Sequence, residues 1–177
     1  MSDRPRVVVR TCPDCGALLL ATAGLPWMTC TGCPLALDPL GVPAERLPTF
    51  RPAGPGTDVA QRLAFYVFES GPPESPAWIW IPAFRALSTN SRSDPGAVLE
   101  QKGYRPGLVA APLGAPLART PSEARVLAAL RLGVKAADAD LRAARLVSLA
   151  CRVSMGNVAE KVSGFVCPFE MLRPPVG

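Results

Sequence analysis

An α+β fold is predicted, in which a short cysteine-built β-hairpin module precedes a small mixed or antiparallel sheet domain with two or three helices. Three observations carry this reading. Two Cys-x-x-Cys pairs, Cys12/Cys15 and Cys30/Cys33, stand close together near the N-terminus. Two runs dense in aromatic and β-branched residues, RLAFYVFE and AWIWIPAF, flank the proline-bearing turn SGPPESP. Two later stretches, from Asp94 to Gly103 and from Thr120 to Gly133, open on a capping residue followed by proline and close on glycine.

A length of 177 residues suits one domain, or a small module plus a domain of about 100–150 residues. With 49% hydrophobic and 19% charged residues, the chain has material for a packed core, and the expectation is a folded chain rather than global disorder. Proline (21) and glycine (15) exceed average usage, which points to many turns and short elements. The net charge of +5 is mostly arginine. It would tolerate a polyanion without demanding one, and a GC-rich coding sequence would produce the same bias. The opening MSDRPRVVVRTCPDCG lacks an apolar signal core, and GALLLATAGLPWM is short and broken by Gly24 and Pro26. The expectation is a cytoplasmic protein without a transmembrane segment, its thiols reduced and more apt to bind metal than to cross-link.

The cysteine region is read as residues 1–36. A Cys-x-x-Cys turn aims two thiolates at one point, and residues 16–29 lie between the two turns. ALLL and WMTC read as short strands joined through ATAGLP, a hairpin that would gather four sulfurs into a tetrahedron. Gly16 follows the first pair directly, whereas the second pair holds Gly32 within it. The two knuckles and their separation resemble the zinc-ribbon group of four-cysteine modules over about residues 7–36. About thirty residues cannot bury enough apolar surface to fold alone, so one structural Zn²⁺ per chain, held by Cys12, Cys15, Cys30 and Cys33, is expected to hold the module together. A rubredoxin-like iron centre would separate its pairs further, and a redox dithiol would start a helix in a βαβ setting. A ribbon without metal is the remaining alternative. The chain has no histidine, so the site reads as closed and structural. Cys151 and Cys167 sit in apolar runs and read as small core residues, a disulfide or reactive thiol being the alternative.

Residues 37–56 form a Pro/Gly-rich linker or extended arm, since six prolines fall between Pro34 and Pro55 with no helical or strand periodicity. Leu37, Leu40, Leu47 and Phe50 would let such an arm pack along its neighbour. Residues 57–177 are read as the α+β domain. In AWIWIPAF, Trp78 and Trp80 share one face and Ile79 and Ile81 the other, as in a strand covered on both sides. Two readings of the tryptophans stay open: anchors of a partner-binding surface, or core residues beneath a helix or second sheet.

Asp94 is the expected N-cap of one helix, with Pro95 at its first position and Gly103 as terminator. Thr120, Pro121 and Glu123 form a capping box, with Gly133 at the far end. Leu127, Leu130 and Val134, with Val126 beside them, are the apolar stripe expected to face the core. AADADLRAARLVSLACRV starts with helical character and ends in strand-like alternation at Val147, Leu149, Cys151 and Val153. SMGN and KVSG suggest a short closing meander.

There is no nucleophile elbow, phosphate-cradling glycine loop or dinucleotide fingerprint, and no histidine for acid–base work. Asp138 and Asp140 are scattered rather than paired, and the polar cluster from Ser88 to Asp94 reads as a solvated loop. Arg4, Arg6 and Arg10 surround the ribbon with one aromatic, Trp27. Residues 119–152 hold seven basic and three acidic side chains, too diffuse for a stripe. The expected function is therefore non-catalytic: a zinc-ribbon adaptor or structural protein that docks onto other proteins in a multi-subunit assembly. The alternative is a nucleic-acid-binding ribbon protein of transcription or translation machinery.

Overall fold

A computed structural model describes residues 10–21, 27–38, 45–53, 61–84, 94–115 and 117–151. Arg4, Arg6, the cluster at 88–93, the expected closing meander and Cys167 lie outside the described residues.

Among the described residues, eight strands and two helices make a mixed sheet with helical cover, so the α+β expectation holds at this level. In chain order they are β1 (Leu19–Ala21), β2 (Met28–Cys30), β3 (Leu35–Asp38), β4 (Glu45–Pro52), β5 (Gln61–Ser70), β6 (Ala77–Pro82), α1 (Pro95–Gln101), β7 (Leu108–Ala110), α2 (Pro121–Leu132) and β8 (Arg142–Cys151). The sheet runs β1-β2-β3-β4-β8-β5-β6, with β7 also on β4. Most pairings are antiparallel; β4 with β8 is parallel.

The stretch read as a linker or arm without strand periodicity carries β4. Its first half pairs with β3, Leu37 opposite Arg46, and its second half pairs with β7 and β8, Phe50 facing Ala110 and Val147. Pro48 and Pro52 interrupt the alternation that would have announced a strand, yet Thr49 is fully buried and its hydroxyl donates to the Ala111 carbonyl at 2.6 Å. The cysteine hairpin is thereby continued by hydrogen bonds into the main sheet.

The hairpin of β5 and β6 forms as its composition predicts, with Val67 opposite Trp80. Both faces are covered. Ala64, Tyr66, Phe68, Ile79, Ile81 and Leu146 point to one side, where Ala124 and Ala128 of α2 close over them. Phe65, Val67, Trp80, Val147 and Leu149 point to the other, where Leu99 of α1 joins them. The two helices thus cover opposite faces of the sheet.

Both helices start and stop where their capping residues dictate. Asp94 accepts from the Gly96 and Ala97 amides, and Thr120 and Glu123 complete the reciprocal capping box. Gly133 adopts a left-handed conformation (φ 71°), and Val134 N–H bonds back to the Ala129 carbonyl, which ends α2.

The orientation of α2 overturns the expectation for its stripe. The residues it buries are Ala124, Ala128 and Ala129, whereas Val126, Leu127, Leu130 and Val134 are exposed. The reason is steric and polar together. The sheet beneath already supplies bulk in Tyr66, Phe68, Ile79 and Ile81, so only small residues let the helix approach. Arginines then fix its rotation: Arg125 donates to the Leu141 carbonyl and Arg131 to the Trp80 carbonyl. Just before the helix, Arg119 donates to the Pro82 and Phe84 carbonyls.

The helical character read into AADADLRAARL does not persist either. Residues 136–138 form a turn, and β8 begins at Arg142 with a bulge where Ala143 has φ 48°.

Among the described residues β6 is an edge strand, and side chains protect it. Outward-facing Trp80 N–H donates to Glu100 Oε1 at 2.7 Å, and its carbonyl accepts from Arg131 at 2.7 Å. Pro82 has no N–H to leave bare, and its carbonyl is taken by Arg119. Arg131 also pairs with Asp94 and Glu100, tying α1 to α2 across the edge. Such capping removes the unpaired backbone that makes edges prone to aggregation. It requires close approach: a Cβ on Gly96 would lie 1.8 Å from the Trp80 oxygen. Gly96→Ala should push α1 off the edge and cost about 1–3 kcal/mol, the usual range for overpacking. A urea midpoint equal to wild type would contradict that close contact.

Candidate metal centre

Four thiols converge where two knuckles meet. The Sγ atoms of Cys12, Cys15, Cys30 and Cys33 all lie within 4.8 Å of one another. Cys12 and Cys33 are 3.6 Å apart, and Cys15 and Cys30 are 3.4 Å apart. A tetrahedral ion with Zn–S bonds of about 2.3 Å needs sulfur–sulfur edges of about 3.8 Å, so the donor set fits one such ion. Among the described residues, no other group of three or more Cys, Asp or Glu is gathered in this way.

Local structure explains the convergence. In the first knuckle Gly16 N–H bonds to the Cys12 carbonyl at 2.9 Å and Cys12 N–H to the Ala17 carbonyl at 2.7 Å, which folds the chain back into β1. The register of β1 with β2, Leu19 opposite Cys30, carries the second knuckle to the same end of the hairpin. There the Gly32 and Cys33 amides both point at Cys30 Sγ, each at 3.3 Å. Gly32 has a different role from Gly16, whose φ is 73°: a Cβ at position 32 would sit 2.8 Å from Ala17 Cβ. The knuckles can approach only if this residue has no side chain.

The electrostatics divide the thiols, favouring the thiolate at Cys30 and the protonated form at Cys33 and Cys15. Burial pushes the Cys30 thiol up, but the Gly32 and Cys33 amides and the neighbouring thiols outweigh it and bring Cys30 down to about 7. Cys33 moves the other way, raised by burial, by hydrogen bonding to the other thiols and by the charge on Cys30. A dication would relieve this opposition by making thiolates of all four.

The centre is tied into the body of the protein. Cys12 and Cys30 pack with Leu35 and Leu37 of β3. Trp27, just before β2, and Ala36 of β3 belong to the same buried cluster as Tyr66, Ile81 and Leu146. An exposed ion pair, Arg46 to Asp14 at 2.9 Å, adds a further link from β4 to the first knuckle, although such pairs contribute little to stability.

The tryptophans fall on the covered side of the sheet. Trp80 is fully buried, edge-on to Phe65 at 5.9 Å and beside Tyr104 at 5.7 Å. It therefore offers no surface in this fold, and Leu99 of α1 packs in the same cluster. Trp78 is half-buried, with the Arg145 guanidinium 4.8 Å above its ring and Glu69 pairing with Arg145.

No helix among the described residues is long and apolar enough to cross a membrane. No protein-family model matches this chain, and no curated protein or solved structure is significantly similar to it.

Proposed function

We propose that this chain is a non-catalytic zinc-ribbon adaptor, cytoplasmic, in which one structural Zn²⁺ fixes the shape of a surface presented to other proteins of a larger assembly. The observation that carries the reading is the four-thiolate cluster itself. Four sulfurs at tetrahedral spacing fill the preferred coordination of zinc and leave no position for water or substrate. Cys12, Cys15, Cys30 and Cys33 would hold the ion, which supplies folding free energy rather than Lewis acidity. The hairpin shares its core with the sheet through Trp27, so the ion would stiffen the whole sheet and with it the surfaces offered to partners.

Two measurements test this. Elemental analysis of protein purified without added metal should give close to one zinc per chain; iron instead would overturn the zinc assignment. Purification from native cells should bring down protein partners in fixed stoichiometry. If the chain instead comes down alone and retards mixed oligonucleotides with a steep salt dependence, the nucleic-acid reading replaces the adaptor.

A further inference from the structure

The four sulfurs of the metal centre differ in how they meet solvent. Cys15 is exposed, Cys12 and Cys30 are buried, and Cys33 lies between these extremes. They differ also in the neighbour each one touches. The sulfur pairs in contact run between the knuckles, Cys15 with Cys30 at 3.4 Å and Cys12 with Cys33 at 3.6 Å. A disulfide brings its sulfurs to about 2.0 Å, so each pair would have to close by only about 1.5 Å. The backbone is already drawn in around the exposed sulfur: a Cβ on Gly32 would lie 3.3 Å from Cys15 Sγ. An accessible thiolate with a second thiolate poised beside it is the arrangement that oxidants select.

We propose that Cys15 is a reversible oxidation site, at which a hydroperoxide starts conversion of the four thiolates into two nested disulfides, Cys15–Cys30 and Cys12–Cys33. This rests on the zinc reading above and adds a regulation of that same centre. The oxidant transfers oxygen to Cys15: an S–O bond forms, the O–O bond breaks, and hydroxide leaves as water. Cys30 attacks the sulfenic sulfur, so that the S–S bond forms and the S–O bond breaks with loss of a second water. A second peroxide repeats the exchange at Cys33, the next most accessible sulfur, with Cys12 resolving it. The thiolates give up four electrons, two peroxides and four protons become four waters, and the ion is released for want of anionic donors. Both links join the first knuckle to the second, as the ion would. Oxidation therefore empties the centre yet keeps the hairpin closed, with Leu19 opposite Cys30 and Trp27 in the main cluster. Disulfides within each Cys-x-x-Cys would release the knuckles from one another. In a reducing compartment the oxidised state reverses by thiol exchange.

The test uses the full zinc-loaded chain carrying Cys151→Ser and Cys167→Ser, so that no other thiol competes. Zinc is measured before any oxidant is added. A chain that holds iron or no metal fails the zinc reading itself, and the proposal falls with it. Hydrogen peroxide should then release the zinc, read with a zinc-binding dye, at about two peroxides per ion. Chymotryptic cleavage at Trp27 of the unfolded, oxidised chain should leave the two knuckle fragments joined until dithiothreitol is added. Tandem mass spectrometry of the joined fragments should assign Cys15–Cys30 and Cys12–Cys33. The oxidised chain should keep the Trp27 emission of the zinc form and melt well above the reduced chain stripped by chelator. Dithiothreitol with added zinc should restore the metal content. With zinc shown to be present, three results overturn the proposal alone: zinc retained under peroxide, fragments that separate without reductant, or thiols carried on to sulfinic acid. A red shift of Trp27 on zinc release overturns it equally, because the links would then not be holding the hairpin.

Discussion

Stripping the metal with a strong chelator, or replacing Cys30 with serine, should unfold the hairpin and weaken the whole sheet. Structural zinc contributes roughly 10–16 kcal/mol of apparent folding free energy in isolated small motifs. The loss here should be smaller but still the largest of any single change, because β3–β4 pairing and Trp27 continue to hold part of the hairpin in place. Since Trp27 lies in the main cluster, its emission should shift to the red and the melting temperature of the entire chain should fall. Cys151→Ser should leave the metal content unchanged. Acid should act in the same direction as chelator: binding requires thiolates, so affinity falls as protons compete at lower pH, first of all below the range near 7 where Cys30 ionises. Full metal content in Cys30→Ser, or a Trp27 signal indifferent to the chelator, would show that the cluster does not carry the hairpin.

Truncating Trp80 to alanine should be the most damaging change outside the metal centre. Phe or Trp to Ala in a packed core costs about 3–5 kcal/mol, and Trp80 is enclosed by Phe65, Tyr104 and Leu99. The lower half of that range is expected, because the buried Trp80 Nε1 has no hydrogen-bond partner and its removal recovers part of a desolvation cost. Trp78→Ala should cost less, being half-buried and held partly through Arg145. In the intact protein the emission attributable to Trp80 should be blue-shifted and resist quencher. Urea titration of each variant reads the difference as a shift in midpoint at constant slope. A Trp80→Ala chain as stable as wild type would mean that α1 does not seal this face.

How much of this could be read in advance depends on whether the cause is local. The knuckle spacing, the β5–β6 hairpin and both capping patterns are settled within a few residues of chain, so Cys12 to Cys33, Asp94 and Thr120 to Gly133 show in the sequence what they do in the fold. The strand β4 was hidden because Pro48 and Pro52 break its alternation, and two of its partners, β7 and β8, lie some sixty to one hundred residues away, only β3 being near. The four sulfurs were legible as a set; the need for Gly32 was not, since it arises from Ala17 across the hairpin.

The face of α2 marks the boundary most clearly. By itself the sequence determined that Pro121–Leu132 is a helix and that one side of it is rich in leucine and valine. Only the tertiary structure decided that this side points outward. Periodicity reports where apolar residues cluster on a helix, but the direction a helix turns depends on what lies beneath it. Here the sheet is already filled by Tyr66, Phe68 and Ile81, alanines alone permit close contact, and Arg125 and Arg131 find their carbonyl acceptors only in that rotation.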